Sequence, residues 1–322
     1  MVTLISPATG LPLRPDQKAL IDDAGSRFLV INGIPRICDS ENYSESFGLQ
    51  WNRFPETQLQ RQGDLQSEQR FFLETGWTPE ELAGKDVLEV GSGAGRFTRV
   101  LLQRTVARLW SVDYSTAVEA NLANNGAIAP DRLRLFQASI YELPFPDGSF
   151  DKVFCLGVLQ HTPDFEGSVR ALVAKAKPGG EIVADFYPIR GWWTKIHAKY
   201  LLRPLTRQLS HERLLRIIDR NIDWLMAAHR GLTRIGLGVL TRFLPVADIR
   251  YVLPEGLSAS QQREWSVLDT FDMFSPEYDQ PHRIGQVVDM FRRSGARVTF
   301  ADFVNVGQAS AAVVRAVREQ QS

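Results

Sequence analysis

The fold of this chain is indicated most clearly by the sequence Val87-Leu88-Glu89-Val90-Gly91-Ser92-Gly93-Ala94-Gly95-Arg96. The apolar run at residues 87–90 is typical of a buried parallel strand. The three glycines that follow permit a tight turn before a helix predicted at residues 96–103. Amide groups at the start of a helix favour an anionic ligand. The stretch therefore predicts a nucleotide-type ligand at the end of the strand.

A second apolar run, Leu109-Trp110-Ser111-Val112, ends at Asp113 further along the chain. Because Asp113 comes at the carboxyl end of a predicted strand, its carboxylate can accept hydrogen bonds from both hydroxyls of a ribose. A dinucleotide fingerprint, G-x-G-x-x-G, would require glycine at position 96, where this chain has Arg96. The spacing therefore favours a nucleoside-containing cofactor other than NAD, bound across the two strand ends.

Five ordered motifs resemble those of the class I S-adenosylmethionine-dependent methyltransferases. They are Glu89-Val90-Gly91-Ser92-Gly93-Ala94-Gly95, Val112-Asp113, Gln137-Ala138-Ser139-Ile140 with Leu143-Pro144-Phe145, the run from Ser149-Phe150-Asp151 to Gln160-His161, and Lys177-Pro178-Gly179-Gly180-Glu181. The resemblance covers residues 84–187, with an end piece at 284–317. It implies an α/β fold with a doubly wound, mostly parallel, seven-stranded sheet of the Rossmann-like type. It also implies an enzyme whose cofactor is S-adenosylmethionine.

The expected cofactor contacts lie at strand ends around one crevice. These residues are Glu89, Gly91, Gly93, Asp113, Tyr114, Ser139, Ile140 and Leu156. The chain departs from the family at Ser139, because relatives usually carry an acid there that bonds the adenine amino group. Ser139 can still accept one hydrogen bond, and the backbone of Ile140 can serve the ring nitrogen, so we expect weakened rather than abolished binding.

Residues 1–40 contain short apolar runs and the turn Asn32-Gly33-Ile34-Pro35, which predict two or three short strands. Their spacing resembles the small zinc-ribbon-like domain of activator subunits of RNA and protein methyltransferases. Where the ribbon would carry C-P-x-C, this chain has Ser6-Pro7-Ala8-Thr9, and no second cysteine pair follows. We therefore expect no structural zinc, and the histidines outside this segment show no metal-ligand spacing.

The patterns divide the chain into five segments. They are a β-rich ribbon-like segment at 1–40, aromatic lid or linker helices at 41–83, the cofactor-binding core at 84–187, a helical insertion at 188–262 that caps the substrate, and the completion of the sheet at 263–322. The second segment contains Tyr43, Phe47 and Trp51. These aromatic residues fit a helix packed on the core and fit equally a lid that excludes water from the cofactor.

The helical insertion concentrates positive charge. Residues 190–250 contain twelve Lys or Arg against four Asp or Glu, in a chain whose 37 basic and 37 acidic residues cancel. A helical cap with solvated arginines explains this excess, and so does an electropositive roof over an anionic or membrane-borne substrate. In the second case Arg203, Arg207 and Arg216 face the acceptor, and the insertion makes peripheral contact with a membrane.

His161 is the best-placed base for an acceptor that must lose a proton, because it follows a predicted strand close to the strand ends. A hydrogen bond to a backbone group that holds the loop explains it equally well. Asp185 and Tyr187 end the next strand, where either an acceptor-orienting or a capping role fits. Asp269 and Asp272 fit a wall of a substrate pocket or an ordinary loop packed on the sheet.

The neutral net charge and the lack of a basic tail favour a small-molecule or lipid-linked acceptor over nucleic acid. The methyl group would pass to O, N or C of a small molecule, sugar, quinone or lipid-linked precursor. An RNA or protein methyltransferase and a non-catalytic cofactor-binding module are the alternatives. Cys38 and Cys155 are the only cysteines, and Cys155 falls in a predicted buried strand, which indicates a cytoplasmic protein.

Overall fold

One mixed sheet of eleven strands lies at the centre of the computed structural model, which describes residues 2–38, 42–57, 59, 66–254, 256–307 and 309–320. The elements in the first half are β1 Arg14–Asp16, β2 Ala19–Ile21, β3 Arg27–Ile31, β4 Ile34–Ile37, α1 Glu45–Arg53, α2 Gln66–Thr75, β5 Asp86–Val90, α3 Arg96–Arg104, β6 Arg108–Asp113, α4 Val118–Asn125, β7 Leu133–Ala138 and β8 Phe150–Cys155. Those in the second half are α5 Phe165–Lys175, β9 Ala176–Phe186, α6 Ala198–Thr206, α7 His211–Arg234, α8 Ile249–Val252, α9 Ala259–Phe274, α10 Ile284–Arg293, β10 Ala296–Val306 and β11 Ala309–Arg318.

The strand order is β1-β2-β3-β4-β7-β6-β5-β8-β9-β11-β10. From β7 to β9 the strands run parallel, and β11 is antiparallel to both of its neighbours. The last seven strands in this order are the predicted doubly wound, mostly parallel sheet. The order reverses at β5, and a parallel sheet of this kind binds ligands at the carboxyl ends of the strands beside such a reversal.

Successive residues of β5 pack on opposite faces of the sheet, as the pleat of a strand requires. Val87 joins a core with α2 and α3, which contribute Phe71 and Leu101. Leu88 joins the core on the other face, which includes Val169 of α5. Both faces of β5 are therefore covered, and this explains why its sequence reads as a continuous apolar run.

The N-terminal segment extends the sheet. It has four strands, where the sequence predicted two or three, and β4 pairs in parallel with β7 through Arg36 and Gln137. Ile34 and Ile37 of β4 are both buried against the main cores. Residues 1–40 thus share a sheet with the cofactor-binding core, because burying these two isoleucines requires the edge of that sheet.

The helical insertion packs on α9. Ile218, Ile222 and Leu225 of α7 form a third apolar cluster with Val267 and Phe271 of α9. Helix α9 begins at Ala259, so it crosses the predicted segment boundary between residues 262 and 263. The alternative of an ordinary loop at Asp269 and Asp272 is wrong, since both residues lie within α9, which is buried on most of its sides from Trp265 to Phe274. No helix in the described part of the chain is long and apolar enough to cross a bilayer.

Candidate functional site

A cavity of about 700 Å³ lies at the carboxyl ends of β5, β6, β7 and β8. Helix α1 borders one side, and the start of the insertion with α9 borders another. The predicted contacts that line the cavity are Gly91, Gly93, Asp113, Tyr114, Ile140 and Leu156, together with His161 and Tyr187. The structure therefore brings six of the eight predicted cofactor contacts and both predicted catalytic residues to one cavity, whereas Glu89 and Ser139 lie outside its lining.

The glycine turn after β5 needs glycine for two separate reasons. Gly91 and Gly93 have φ angles of +81° and +52°, which side-chain-bearing residues rarely adopt. A Cβ on Gly91 would lie 2.2 Å from Cγ2 of Val158, and one on Gly93 would lie 3.0 Å from Nε1 of Trp51. The turn is thus clamped between the loop after β8 and the indole of α1, and its backbone forms part of the cavity wall.

Asp113 ends β6 and closes the turn from the other side. Its Oδ2 accepts a hydrogen bond from the Gly93 amide at 2.7 Å, and its Oδ1 accepts from the amide and hydroxyl of Ser115 at 2.8 and 2.6 Å. Burial raises the pKa of Asp113, and these hydrogen bonds oppose that effect. A carboxylate has about four acceptor positions, so Oδ2 can still accept from a ligand hydroxyl.

Glu89 does not line the cavity, contrary to expectation. It is 1% exposed, and its Oε2 accepts hydrogen bonds from the hydroxyls of Thr98 and Ser111. Burial raises the pKa of Glu89 to about 7. The carboxyl group therefore joins β5 to α3 and β6 behind the turn, because its side chain points into the sheet rather than out of the strand end.

Ser139 also stands behind the cavity wall. Its hydroxyl accepts a hydrogen bond from the Tyr141 amide at 3.2 Å, which shapes the turn after β7. The residues on either side, Ala138 and Ile140, line the cavity instead. A direct adenine contact from Ser139 is therefore not provided in this arrangement, while the expected contact from Ile140 is available.

The aromatic residues of the second segment cover the cavity. Tyr43, Phe47 and Trp51 all line it, as does Gln50 of α1. The Tyr43 ring lies 5.1 Å from the ring of Tyr114, centroid to centroid. Of the two interpretations left open, the lid is thus the one that this placement favours, because these side chains face the cavity rather than the apolar cores.

His161 follows β8 in a short 3-10 helix, Leu159–His161, and is 4% exposed. Its Nδ1 lies 3.0 Å from the carbonyl oxygen of Tyr278, which can only accept, so Nδ1 carries the hydrogen and Nε2 is an acceptor in the neutral ring. Burial lowers the pKa of His161. The backbone bond and the base role that the sequence presented as alternatives are thus compatible, since each uses a different nitrogen.

Tyr187 lies beside His161, with ring centroids 5.4 Å apart. Its hydroxyl donates to Oδ2 of Asp272 at 3.3 Å, and the Nζ of Lys199 lies 4.3 Å from its ring centroid. Burial raises the pKa of Tyr187 well above its usual value, and Asp272 adds to this effect. The phenol is therefore a neutral, fixed group that can orient an acceptor but is a poor base.

A buried ion-pair network that the sequence analysis missed stands on the cavity wall. Arg70 of α2 binds Oε1 of Glu74 and Oδ2 of Asp185, each at 2.8 Å. Asp185 also accepts from the Gly157 amide, so the network fixes the loop after β8. Burial raises the pKa of Glu74, while Arg70 opposes the rise. The i, i+4 spacing of Arg70 and Glu74 was the available sequence signal.

Gln160 is a second residue to which the sequence analysis gave no role. It is fully buried and lines the cavity, and neither atom of its side-chain amide has a partner among the described residues. Buried polar groups are almost always hydrogen-bonded, so this unpaired amide is exceptional, and because it is not exposed a bound molecule can reach it only if the surrounding wall shifts. It lies next to His161, where an acceptor would be held.

The basic excess of the insertion does not face the cavity. Of its Lys and Arg residues only Lys199 lines the cavity, and Lys199 forms an ion pair with Asp279. Arg203 is buried and donates to the Pro276 carbonyl oxygen at 2.8 Å, while Arg207 and Arg216 are exposed to solvent. Of the two alternatives, the one in which these three arginines face the acceptor is wrong, because α6 and α7 turn their apolar sides inward.

In the ribbon-like segment, the residues at the positions where a zinc ribbon has cysteines form hydrogen bonds. The hydroxyl of Thr9 donates to Oδ2 of Asp22 at 2.6 Å, and the amides of Ala24 and Ser26 donate to Oδ1. The hydroxyl of Ser6 lies 3.5 Å from that of Ser26. Within the described residues, no group of three His, Cys, Asp or Glu side chains could hold a metal ion.

Comparison with known proteins identifies the central part of the chain. A family model described as a methyltransferase domain matches residues 88–184. The ubiquinone biosynthesis O-methyltransferase of Pseudomonas paraeruginosa is 32% identical over 144 residues, which are 42% of this chain and 60% of that protein. The tRNA U34 carboxymethyltransferase of Nautilia profundicola is 33% identical over 112 residues, which are 34% of this chain and 37% of that protein.

The similarity to these curated relatives thus spans less than two thirds of their length. Among solved structures, magnesium protoporphyrin IX methyltransferase from Synechocystis, with bound SAH, is similar over 86% of this chain and 97% of its own. The TM-score is 0.48 and the sequence identity is 14%.

Proposed function

We propose that this chain, whose residues 88–184 form a class I S-adenosylmethionine-dependent methyltransferase domain, methylates a hydroxyl oxygen of a small, largely apolar acceptor. The observation that carries the proposal is the free Nε2 of a neutral His161 in the same cavity as the glycine turn and Asp113. A hydroxyl must lose its proton as it gains a methyl group, and Nε2 can take that proton. The O-methyltransferase relative supports oxygen as the atom methylated.

S-adenosylmethionine supplies a methyl group on a positively charged sulfur, which is already activated for transfer. The chain's task is to hold both molecules in line in a dry site. Asp113 would accept from a ribose hydroxyl, and the backbone near Gly91 and Gly93 would contact the methionine part. Ile140 and Leu156 would border the adenine. These residues fit the cofactor because they line one cavity, in which the Oδ2 atom of Asp113 keeps acceptor capacity and the backbone of the glycine turn forms part of the wall.

The rest of the cavity suits an acceptor with an apolar body and a few polar groups. Phe47, Trp265 and Met273 give it apolar walls, and the buried Gln160 amide, which has no partner among the described residues, would bond the acceptor after a shift of the wall exposes it. The acceptor oxygen would lie between His161 and the cofactor crevice. The products are the methyl ether, S-adenosylhomocysteine and the proton taken by Nε2, which passes to solvent when the site opens.

The test is turnover of methyl-labelled S-adenosylmethionine by the full chain with phenols, quinols, amines and sugars of similar size. We expect label in ether products of phenols or quinols, and a loss of about 100- to 10,000-fold in kcat for His161→Gln. Cofactor affinity of that variant should be unchanged, because His161 lies on the acceptor side. Transfer to nitrogen or carbon alone, or full activity of His161→Gln, would contradict the proposal.

A nucleic-acid acceptor is the second candidate, and the tRNA-modifying relative is the observation that favours it. Among the described residues, the lysines and arginines that line the cavity are Arg70, Arg96 and Lys199, and Arg70 and Lys199 form ion pairs with acids. Such a cavity offers little attraction to phosphates. Labelling of bulk tRNA in the same assay, with steep dependence on salt, would favour this candidate.

A further inference from the structure

The insertion exposes apolar side chains to an unusual degree. Among the described residues, 21 large apolar side chains are exposed, and thirteen of them lie between Trp192 and Tyr251. The most exposed are Trp192 at 79% and Val239 at 75%. Single exposed apolar residues need no explanation, but a concentration in one segment marks an interaction surface.

One group of these side chains lies next to the cavity. Trp192 and Trp193 belong to the 3-10 helix Trp192–Lys195, while Val239, Leu240 and Phe243 belong to the 3-10 helix Gly238–Phe243. The guanidinium of Arg242 donates to the Trp193 carbonyl oxygen at 2.6 Å and holds the two helices together. We call these five apolar residues the rim patch. Thr194, within the first 3-10 helix, lines the cavity, so the rim patch borders it.

Helix α7 carries a second exposed apolar stripe. Ile217 and Trp224 are seven residues apart, about two helical turns, and so lie on one side of the helix, and the exposed Ile235 directly follows the end of the helix. Ile235 is followed by the 3-10 helix that contributes to the rim patch. Arg213 and Arg220 flank Ile217 at the distance of one turn and are exposed.

Two of the three acidic residues of α7 form ion pairs on the side of the helix that faces α9. Asp219 and Asp223 bind the guanidinium of Arg263 on α9, at 2.8 and 3.1 Å. The exposed side of α7 therefore combines aliphatic and tryptophan side chains with Arg213 and Arg220, which form no ion pair with an acidic side chain in the described part of the protein. Tryptophan and arginine together are typical of helices that lie at the interface of an anionic bilayer, where the indole sits at headgroup level and the guanidinium meets lipid phosphates.

We propose that the rim patch and the α7 stripe dock this protein on the surface of an anionic lipid bilayer, with the cavity opening beside the acyl chains. The positive excess of residues 190–250, in a chain without net charge, is complementary to that surface. The arginines that do not face the cavity would then bind the anionic lipid headgroups. The entry of a lipid-borne acceptor from the bilayer rests on the proposed function, whereas the docking does not.

The experiment is flotation of the full chain with vesicles of phosphatidylcholine alone, or with phosphatidylglycerol added to about 30 mol%. We expect binding to the anionic vesicles only, and its loss as salt is raised, because screening shortens the range of exposed charges. Trp192→Ser/Val239→Ser should weaken binding at least about tenfold, and Arg213→Gln/Arg220→Gln should weaken it further at physiological salt.

The matched controls are Leu29→Ser/Val106→Ser, which removes apolar side chains that are 54% and 64% exposed elsewhere, and Lys18→Gln/Lys85→Gln, which removes two exposed charges. Both controls should bind vesicles like the parent, and thermal unfolding with and without S-adenosylmethionine should show that every variant is folded. Absence of vesicle binding, or equal losses in patch and control variants, overturns the proposal. So does light scattering that shows a dimer which the patch variant dissociates, since the patch is then a protein interface.

Vesicle binding is measured without turnover, so it is independent of the proposed function. Vesicle binding without methylation of phenols or quinols would contradict only the proposed function.

Discussion

The ring of Phe47 lies against His161, with centroids 5.1 Å apart, so that helix α1 shields the histidine from water. This contact joins the lid to the residue proposed to take the acceptor proton. Removal of water disfavours the charged imidazolium, which is why burial lowers the pKa of His161 below its usual 6.5. The lid therefore helps to keep the base neutral, in addition to covering the cofactor crevice.

The first prediction concerns the pH dependence of kcat/KM. A base is active only when it is unprotonated, and a lowered pKa keeps His161 unprotonated further into the acid range. The midpoint of the acid limb of the pH profile should therefore lie below pH 6.5. Phe47→Ala admits water and should move the acid limb up toward 6.5, while Phe47→Leu should move it less. An acid limb above 6.5 in the parent would remove His161 from the proton transfer.

The second prediction concerns the cofactor. Asp113→Asn should weaken binding of S-adenosylmethionine by about 1.5 to 3 kcal/mol, roughly 10- to 150-fold, because a hydrogen bond to a charged group is lost. Isothermal titration calorimetry measures this loss, with His161→Gln as the control that should bind normally. Asp113→Ala should lose more, since the Gly93 amide and Ser115 also depend on the carboxylate. Unchanged affinity of both Asp113 variants would place the ribose elsewhere.

The third prediction concerns stability. Between the usual pKa of 4.5 and the raised value of about 7, Glu89 holds its proton in the folded protein but loses it in the unfolded chain. The free energy of unfolding should therefore fall as the pH rises through that window, by up to about 3 kcal/mol from this group. Glu89→Gln, compared with the parent by urea unfolding at each end of the window, should abolish most of that fall. Glu142→Gln, at an exposed position, should not.

The fourth prediction separates acceptor binding from folding. Gln160→Leu should raise the KM for the acceptor by about 2- to 10-fold, because hydrogen bonds of ordinary strength are lost. The same change should leave thermal stability equal or higher, since it removes a buried amide that has no partner among the described residues. Exposed Gln103→Leu serves as the control. A large loss of stability with unchanged KM would show that Gln160 supports the protein rather than the acceptor.

The fifth prediction concerns the ribbon-like segment. Hydrogen bonds from Thr9 and Ser26 hold the pKa of Asp22 below its usual range. The Asp22 carboxylate thus connects the parts of this segment that a metal ion holds together in a zinc ribbon. Elemental analysis should find no zinc, and added zinc should not raise the melting temperature. Asp22→Ala should lower that temperature, whereas Asp23→Ala, at an exposed position, should not. About one zinc per chain, lost when residues 1–40 are deleted, would refute this prediction.

Local sequence patterns are sufficient to predict the secondary structure of the cofactor-binding core and the crevice at its strand ends. The run at residues 87–96 predicts strand, turn and helix because a doubly buried strand must be apolar and a turn with positive φ requires glycine. Asp113 could be assigned to the same crevice because parallel strands end at a common edge. The sequence of α10, Ile284–Arg293, carries the same kind of information, since its apolar residues recur at helical spacing.

Which side chains meet in the cavity depends on contacts between residues that are distant in sequence, so it is visible only in the tertiary structure. The side chains of Glu89 and Ser139 lie behind the residues that line the cavity. The direction in which a side chain points at a strand end depends on how the next loop folds over it. Arg70 and Asp185 are far apart in sequence, so no local pattern could pair them. Arg216 faces solvent because α7 buries its apolar side on α9, and the energy of that contact depends on residues that lie on a separate helix.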